Sequence, residues 1–237
     1  MKLLTTENAK TVKGESLGYL TGILYLAPAR ESGVRNVCPY ATEECRAACL
    51  FTAGRGNFES VRQARIRKTV WLHKDRKGFL KQLRLDIGEL ERKASKLGLT
   101  PAIRLNGTSD LADLAATIAA EFPQIQFYDY TKIPAPWKRV RANYHVTFSY
   151  SGHNMLEALE ALEHGVNVAV VFDTKRGMPL PATWNGYRVV DGDVSDLRFR
   201  DESGVVVGLR AKGRARRMPS AFVSLSPTPL VQIRRIG

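Results

Sequence analysis

The chain has 237 residues, 44% of them hydrophobic, enough for a substantial core in one large domain or two small ones. No apolar run approaches the ~18 residues of a membrane-spanning helix, and the opening MKLLTTENAK is too short an apolar stretch for a secretory signal, so a cytoplasmic, reducing setting is expected. Lys and Arg number 36 against 23 acids, a formal +13, which points to a polyanionic partner, nucleic acid or a nucleotide; no membrane partner is expected, given the short apolar runs.

Residues 1–15 carry no periodicity and read as an arm. Leu20–Leu26 is apolar and reads as the first core strand. Asn57 is placed to cap a helix running to about Lys74, and Gly78 to break it. In the next helix Leu80, Leu83, Ile87, Leu90, Ala94 and Leu97 step by three and four, and Gly98 ends it. Strands are then predicted at Ala102–Leu105, Ile125–Tyr130, His145–Ser149, Val166–Phe172 and Tyr187–Val190. Helical stripes lie between, at Leu111 to Phe122 and at Met155 to Leu162. The continuous apolar run Val166–Phe172 suits a sheet covered on both faces. Asp196–Leu209 reads as a β-hairpin turning at Asp201-Glu202-Ser203-Gly204, and from Lys212 the chain is basic and Pro-containing. The predicted fold is α/β. It has a parallel sheet of about six or seven strands in an open or incomplete (β/α) TIM-like barrel, with a C-terminal β-hairpin and a basic tail; a doubly wound open sheet is the alternative. The predicted divisions are an arm at 1–15, one domain at 16–211 and a tail at 212–237.

All three cysteines, Cys38, Cys45 and Cys49, lie within twelve residues, spaced C-x6-C-x3-C. Buried cysteines that only pack need not cluster, so a shared ligand is expected. The odd count argues against a disulfide framework. Three thiolates suit a 4Fe-4S iron–sulfur cluster with one iron left open. Zinc is the alternative and asks for a fourth ligand, for which His73, His145, His153 and His164 are the available histidines. Three unliganded thiols are the plainest reading.

The charge is unevenly spread. From Arg62 to Arg84 there are nine basic residues and one acid, Asp75; Arg62, Arg65, Arg67, Lys68, Lys74, Arg76 and Lys77 are the candidate nucleic-acid contacts. A second run is Arg210, Lys212, Arg214, Arg216 and Arg217, then Arg234 and Arg235. In either α/β architecture ligands bind at the carboxyl ends of the strands. Those ends carry Asn106 and Asp110, Asp129 and Lys132, Ser149 and His153, Asp173 and Lys175, and Asp191 to Asp196. Asp129, Lys132 and Asp173 are the catalytic candidates; Asn106, Asp110, Ser149 and Lys175 are the candidates for holding a cofactor. Capping and turn formation are the structural alternatives for Asp110, Ser151, Asn154 and Asp191. No phosphate-binding glycine loop, nucleophile elbow or H-E-x-x-H motif is present.

The segment Cys38-Pro39-x-Ala41-x-x-x-Cys45-x-x-x-Cys49, with Arg-Leu-Asn-Gly-Thr-Ser-Asp at 104–110 and Phe-Tyr-Asp-Tyr-Thr-Lys at 127–132, resembles the phage-encoded gene-product-88-like proteins over roughly residues 20–175. Ser109 stands before Asp110 where that family tends to have Gly. The family brings no established activity. More distantly, a three-cysteine loop after the first strand is similar to that of the radical S-adenosylmethionine enzymes. That resemblance implies a 4Fe-4S cluster on Cys38, Cys45 and Cys49 and S-adenosylmethionine as a further cofactor; the spacing here departs from their C-x3-C-x2-C. Two functions are therefore expected. One is an iron–sulfur enzyme acting on nucleic acid or nucleotides in a phage host's cytoplasm. The other is a non-catalytic nucleic-acid-binding protein with a structural metal site.

Overall fold

The central strands alternate side chains between two unlike faces, and that alternation sets the architecture. The computed structural model describes residues 1–7, 9–52, 54–217 and 220–225. Strand β1 (Leu4–Thr5) precedes helix α1 (Ala9–Glu15) and strand β2 (Tyr19–Leu24). After the short helix α2 (Glu43–Ala47) come the long α3 (Glu59–Lys74) and α4 (Arg76–Lys96). The chain then alternates through β3 (Thr100–Arg104), α5 (Ala112–Ala120), β4 (Gln126–Thr131), β5 (Tyr144–Ser149), α6 (Met155–Glu163) and β6 (Val168–Phe172). It ends with β7 (Thr183–Trp184), β8 (Tyr187–Asp191), β9 (Val206–Arg210) and β10 (Val223–Ser224).

The strands form one ten-stranded sheet in the order β1-β2-β3-β4-β5-β6-β9-β8-β7, with β10 beside β6. This corrects the expected parallel sheet of six or seven strands in a TIM-like barrel. The sheet is mixed and its order is linear, with antiparallel pairs at both ends: β1 on β2, and β7 on β8. The missed edge strands are two residues long, too short for any periodicity. Leu3 and Leu4, from the segment read as an arm, are buried, and the Leu4 amide donates to Asp86 Oδ2 at 3.1 Å.

The hairpin expected over 196–209 is also corrected. β8 and β9 run parallel, with Val189 opposite Val206. The intervening chain makes a 3-10 turn at Arg198–Arg200 whose Leu197 and Phe199 pack on Tyr128, Tyr19 and Ala102. The real hairpin is β7–β8. Its turn residues Asn185 and Gly186 have φ of 47° and 83°, the paired positive values of a type I′ turn.

Helices α4, α5 and α6 cover one face. There Phe79, Leu83, Ile87 and Leu90 of α4 and Ala115 and Ile118 of α5 meet Ile103, Phe127 and Val146. Ala158, Ala161 and Leu162 of α6 meet Phe148, Val168 and Val170. The α4 stripe is set one residue back from the expected one at its start, since Phe79 is fully buried and Leu80 only partly, and Leu97 at its end is exposed. Gly78 breaks nothing: it lies in the first turn of α4 and donates to Asp75 Oδ1 at 2.8 Å, so Asp75 marks the break. Asn57 ends a 3-10 turn, and Phe58 stands at the N-cap of α3 without a side-chain cap. The other face of the sheet carries Arg104 and Asn106 from the β3 end, Tyr130 from β4 with Lys132 just after it, and Ser149 from β5, and it opens into a cleft.

In the tail, Gly213–Arg217 forms a 3-10 turn and β10 pairs with the end of β6, Val223 opposite Val171. Arg234 and Arg235 lie outside the described residues.

Candidate functional site

The cleft has a volume of about 2350 Å³, and Cys38, Cys45 and Cys49 all line it. Short local contacts lay the cysteine loop over the carboxyl ends of the strands. The Asp110 amide donates to Val37 O at 2.7 Å, which ties the loop to the segment after β3. Thr42 Oγ1 donates to Ser151 O at 3.4 Å and His153 Nε2 meets Glu44 Oε1 at 2.9 Å, which tie it to the segment after β5. Thr42 also caps α2 by accepting from the Cys45 amide at 3.1 Å. Cys45 lies within α2, and Cys49 follows its C-cap, where its amide donates to Arg46 O at 3.3 Å. Cys38 Sγ faces Thr108 O at 3.7 Å.

Lys132 stands among these thiols. Burial works to lower its pKa, but Cys45, Asp110 and Cys38 outweigh it and hold the ammonium above its ordinary value. Burial pushes the Cys38 thiol up to about 11, against the pull of the Ala29 backbone and Lys132, and raises Cys49 as well. Asp110 caps no helix: it accepts from Thr131 Oγ1 at 2.6 Å and the Lys132 amide at 2.7 Å, so it fixes where the lysine leaves the strand. Gly107 lets the β3 loop approach β2, since a Cβ there would meet Tyr25 Cδ1 at 2.6 Å.

Among the expected site residues, Asn106, Asp110, Lys132 and Ser149 line the cleft with the cysteines. Asp129 is buried behind it, where its carboxylate accepts from the Asn106 amide at 2.7 Å, Asn106 Nδ2 at 3.0 Å and the Tyr144 hydroxyl at 3.3 Å. Asp173 and Lys175 are exposed beyond β6 and do not line the cleft. His153 is taken up by Glu44. The basic run divides. Arg67, Lys74, Arg76 and Lys77 are exposed. Lys68 is buried and donates to Leu3 O at 2.6 Å, so it fastens the N-terminal strand and offers no surface charge. Arg62 pairs with Glu31 at 3.7 Å. Arg65 turns into the cleft, its guanidinium 4.9 Å from the Tyr25 ring centre and 5.3 Å from that of Phe51. In the second run Arg210 pairs with Asp191 and Asp193, and Lys212 with Asp193 at 2.6 Å.

Sequence reading missed Tyr25, Phe51, Arg104 and Tyr130. Arg104 and Tyr130 were legible in one respect: each stands two residues before an expected site residue, Asn106 and Lys132, and so shares its face. Among the described residues no three His, Cys, Asp or Glu side chains close on one point as a single-ion site requires. The described helices include none long and apolar enough to cross a membrane.

The fold and the cleft define an α/β protein with an open mixed sheet and a thiol-lined site in which basic side chains outnumber acidic ones. The family model for gene product 88 matches residues 2–224, and the chain belongs to the gene product 88 family. No curated protein and no solved structure matches it, so the likeness to radical S-adenosylmethionine enzymes gains no support there.

Proposed function

We propose that this chain is a phage-type iron–sulfur protein that acts on nucleic acid or nucleotides in the host cytoplasm. In this reading Cys38, Cys45 and Cys49 hold a 4Fe-4S cluster, whose open iron supplies a coordination position for an exogenous ligand. S-adenosylmethionine is the first such ligand to test. The observation that carries the reading is the convergence of all three cysteines on one cleft around Lys132. Lys132 and Arg65 offset the negative charge that three thiolates bring. Asn106 and Ser149 line the same cleft and are placed to orient a bound ligand.

A second reading, a non-catalytic nucleic-acid-binding protein with a structural zinc or iron–sulfur site, is favoured by Arg67, Lys74, Arg76 and Lys77. These are exposed on α3 and α4 and stand outside the cleft. Anaerobic purification with iron, sulfide and zinc assays separates the two. About four irons, broad absorbance near ~400 nm and loss of both in Cys45→Ala support the cluster. About one zinc in a colourless protein supports the structural site. Absence of both metals overturns the shared metal centre.

A further inference from the structure

We infer that the rim of the cleft beside the cysteine loop is a docking surface for single-stranded nucleic acid, with phosphates on Arg30, Arg46 and Arg214 and a base stacked on Tyr40. The inference rests on the nucleic-acid reading above and gives it a place and a strand state.

Arg30, Arg46 and Arg214 come from separate stretches of the chain, and all line the cleft while remaining exposed. The fold sets each against the cysteine loop. Arg30 follows Ala29, whose carbonyl accepts from the Val37 amide at 3.0 Å, next to Cys38. Arg46 lies within α2 beside Cys45, and its Nη1 donates to Ala41 O at 2.6 Å, which steadies the guanidinium over its own loop. Arg214 adjoins Ala215, which is buried with Ala211 against Ala48. The small residues of the Gly213–Arg217 turn thus pack on the loop, and its arginines stay exposed.

None of these guanidiniums has a carboxylate partner among the described residues. The acids of this end of the cleft are engaged elsewhere. Glu31 pairs with Arg62 at 3.7 Å, Glu44 meets His153 at 2.9 Å, and Asp110 accepts from Thr131 and the Lys132 amide. Glu43 is exposed but does not line the cleft, and Glu7 and Glu15 line it from the α1 end. The thiols do not draw on these arginines either, since Lys132 and Arg65 answer them. A solvated face interleaves both signs. This rim keeps positive charge uncompensated, as a surface that displaces counterions from phosphates does.

Tyr40 sets the strand state. It stands in the loop between Cys38 and Cys45, is 50% exposed, and makes no ring contact among the described residues. Arg46, bonded to the carbonyl of the next residue, holds a charge beside it. An exposed aromatic ring next to guanidiniums binds unpaired bases together with their backbone, whereas a duplex shows no base face to stack on within its length. A bilayer is the other anionic partner that arginines and an exposed tyrosine suit, but its broad surface does not reach side chains that line a cleft.

The test uses the full-length protein, purified anaerobically, with a labelled oligothymidylate of about twelve nucleotides, within the span one binding groove covers. Its duplex with oligodeoxyadenylate and vesicles containing phosphatidylserine are the competing partners. Anisotropy is expected to show the strand bound about tenfold tighter than the duplex, the gain of one stacked base. Arg30→Gln, Arg46→Gln and Arg214→Gln together should lower the salt slope by about 2, at ~0.7 for each phosphate contact on a single strand. Arg67→Gln, Arg76→Gln and Lys77→Gln together, on α3 and α4, should leave that slope unchanged. Tyr40→Ala should weaken strand binding about tenfold without altering the slope. Every substituted side chain is exposed, and circular dichroism checks the fold. A slope that the rim variant leaves unchanged, a duplex bound as tightly as the strand, or full affinity in Tyr40→Ala overturns this surface and leaves the nucleic-acid reading standing. Binding of neither oligonucleotide, with or without capture by the vesicles, overturns the nucleic-acid reading as well.

Discussion

Asp129 makes the fold sensitive to pH in a direction opposite to most carboxylates. It is fully buried, and desolvation pushes its pKa from 3.8 to about 7 despite Arg104 and the donors from Asn106 and Tyr144. The native state therefore keeps a proton that the unfolded chain has already released. The resulting stabilisation is fully present below the unfolded pKa and is lost as pH rises through about 7. A shift of about three units corresponds to at most ~4 kcal/mol of stability over that window. Asp129→Asn removes the titration. The amide keeps an acceptor for Asn106 but presents an N–H to a neighbouring donor, a roughly pH-independent cost of about 1–3 kcal/mol. Urea unfolding followed by circular dichroism, from about pH 4.5 to about pH 8.5, should show the wild-type advantage over the variant shrinking by several kcal/mol as pH rises. A difference between the two proteins that stays constant across the range would refute the assignment of a protonated, buried Asp129.

Three further outcomes are expected. Leu90→Ala deletes a side chain that is 4% exposed and packs against Gly22, and should cost about 2–5 kcal/mol in the same unfolding assay. Thr42→Ala removes the cap from the Cys45 amide; it should cost about 1 kcal/mol and speed the reaction of the cysteines with a thiol reagent. Arg65→Gln should weaken nucleic-acid binding and lower the salt slope by about 1, whereas Lys68→Met should lower stability and leave the slope unchanged, because Lys68 holds Leu3.

The long elements were legible because their patterns repeat. Leu83, Ile87, Leu90 and Ala94 mark α4 in any reading, and the unbroken run through Val168–Phe172 marks a strand covered on both faces. The edges were not, because β1, β7 and β10 are two residues each and form only where a neighbour offers hydrogen bonds. The misplaced hairpin shows two turn signals in competition. Asp201-Glu202-Ser203-Gly204 is rich in turn residues, but Asn185-Gly186 is the pair whose positive φ matches strand twist. Direction was lost with it, since the 3-10 turn at Arg198–Arg200 that sends β9 parallel to β8 is held by Leu197 and Phe199 against distant strands. At the candidate site the clustered cysteines were visible in the chain, and Lys132 was visible as a charge after an apolar run. Arg104 was hidden because it lies inside a strand, where its partner Asp196 is 92 residues away. Asp129 stood out for its charge, yet its strand position turns it toward Tyr144 and away from the cleft.

The placement of β9 has a consequence for how this protein is made. The sheet grows in register with synthesis from β3 through β6, each strand docking on the one before it. β8 breaks that order: it leaves the ribosome before β9, yet its place in the sheet is on the far side of β9. Until Val206–Arg210 emerges, the β7–β8 hairpin has nothing to dock on, and β6 shows a bare hydrogen-bonding edge of apolar residues. Chains that stop between Asp191 and Val206 should therefore aggregate, while chains released after Arg210 escape that trap.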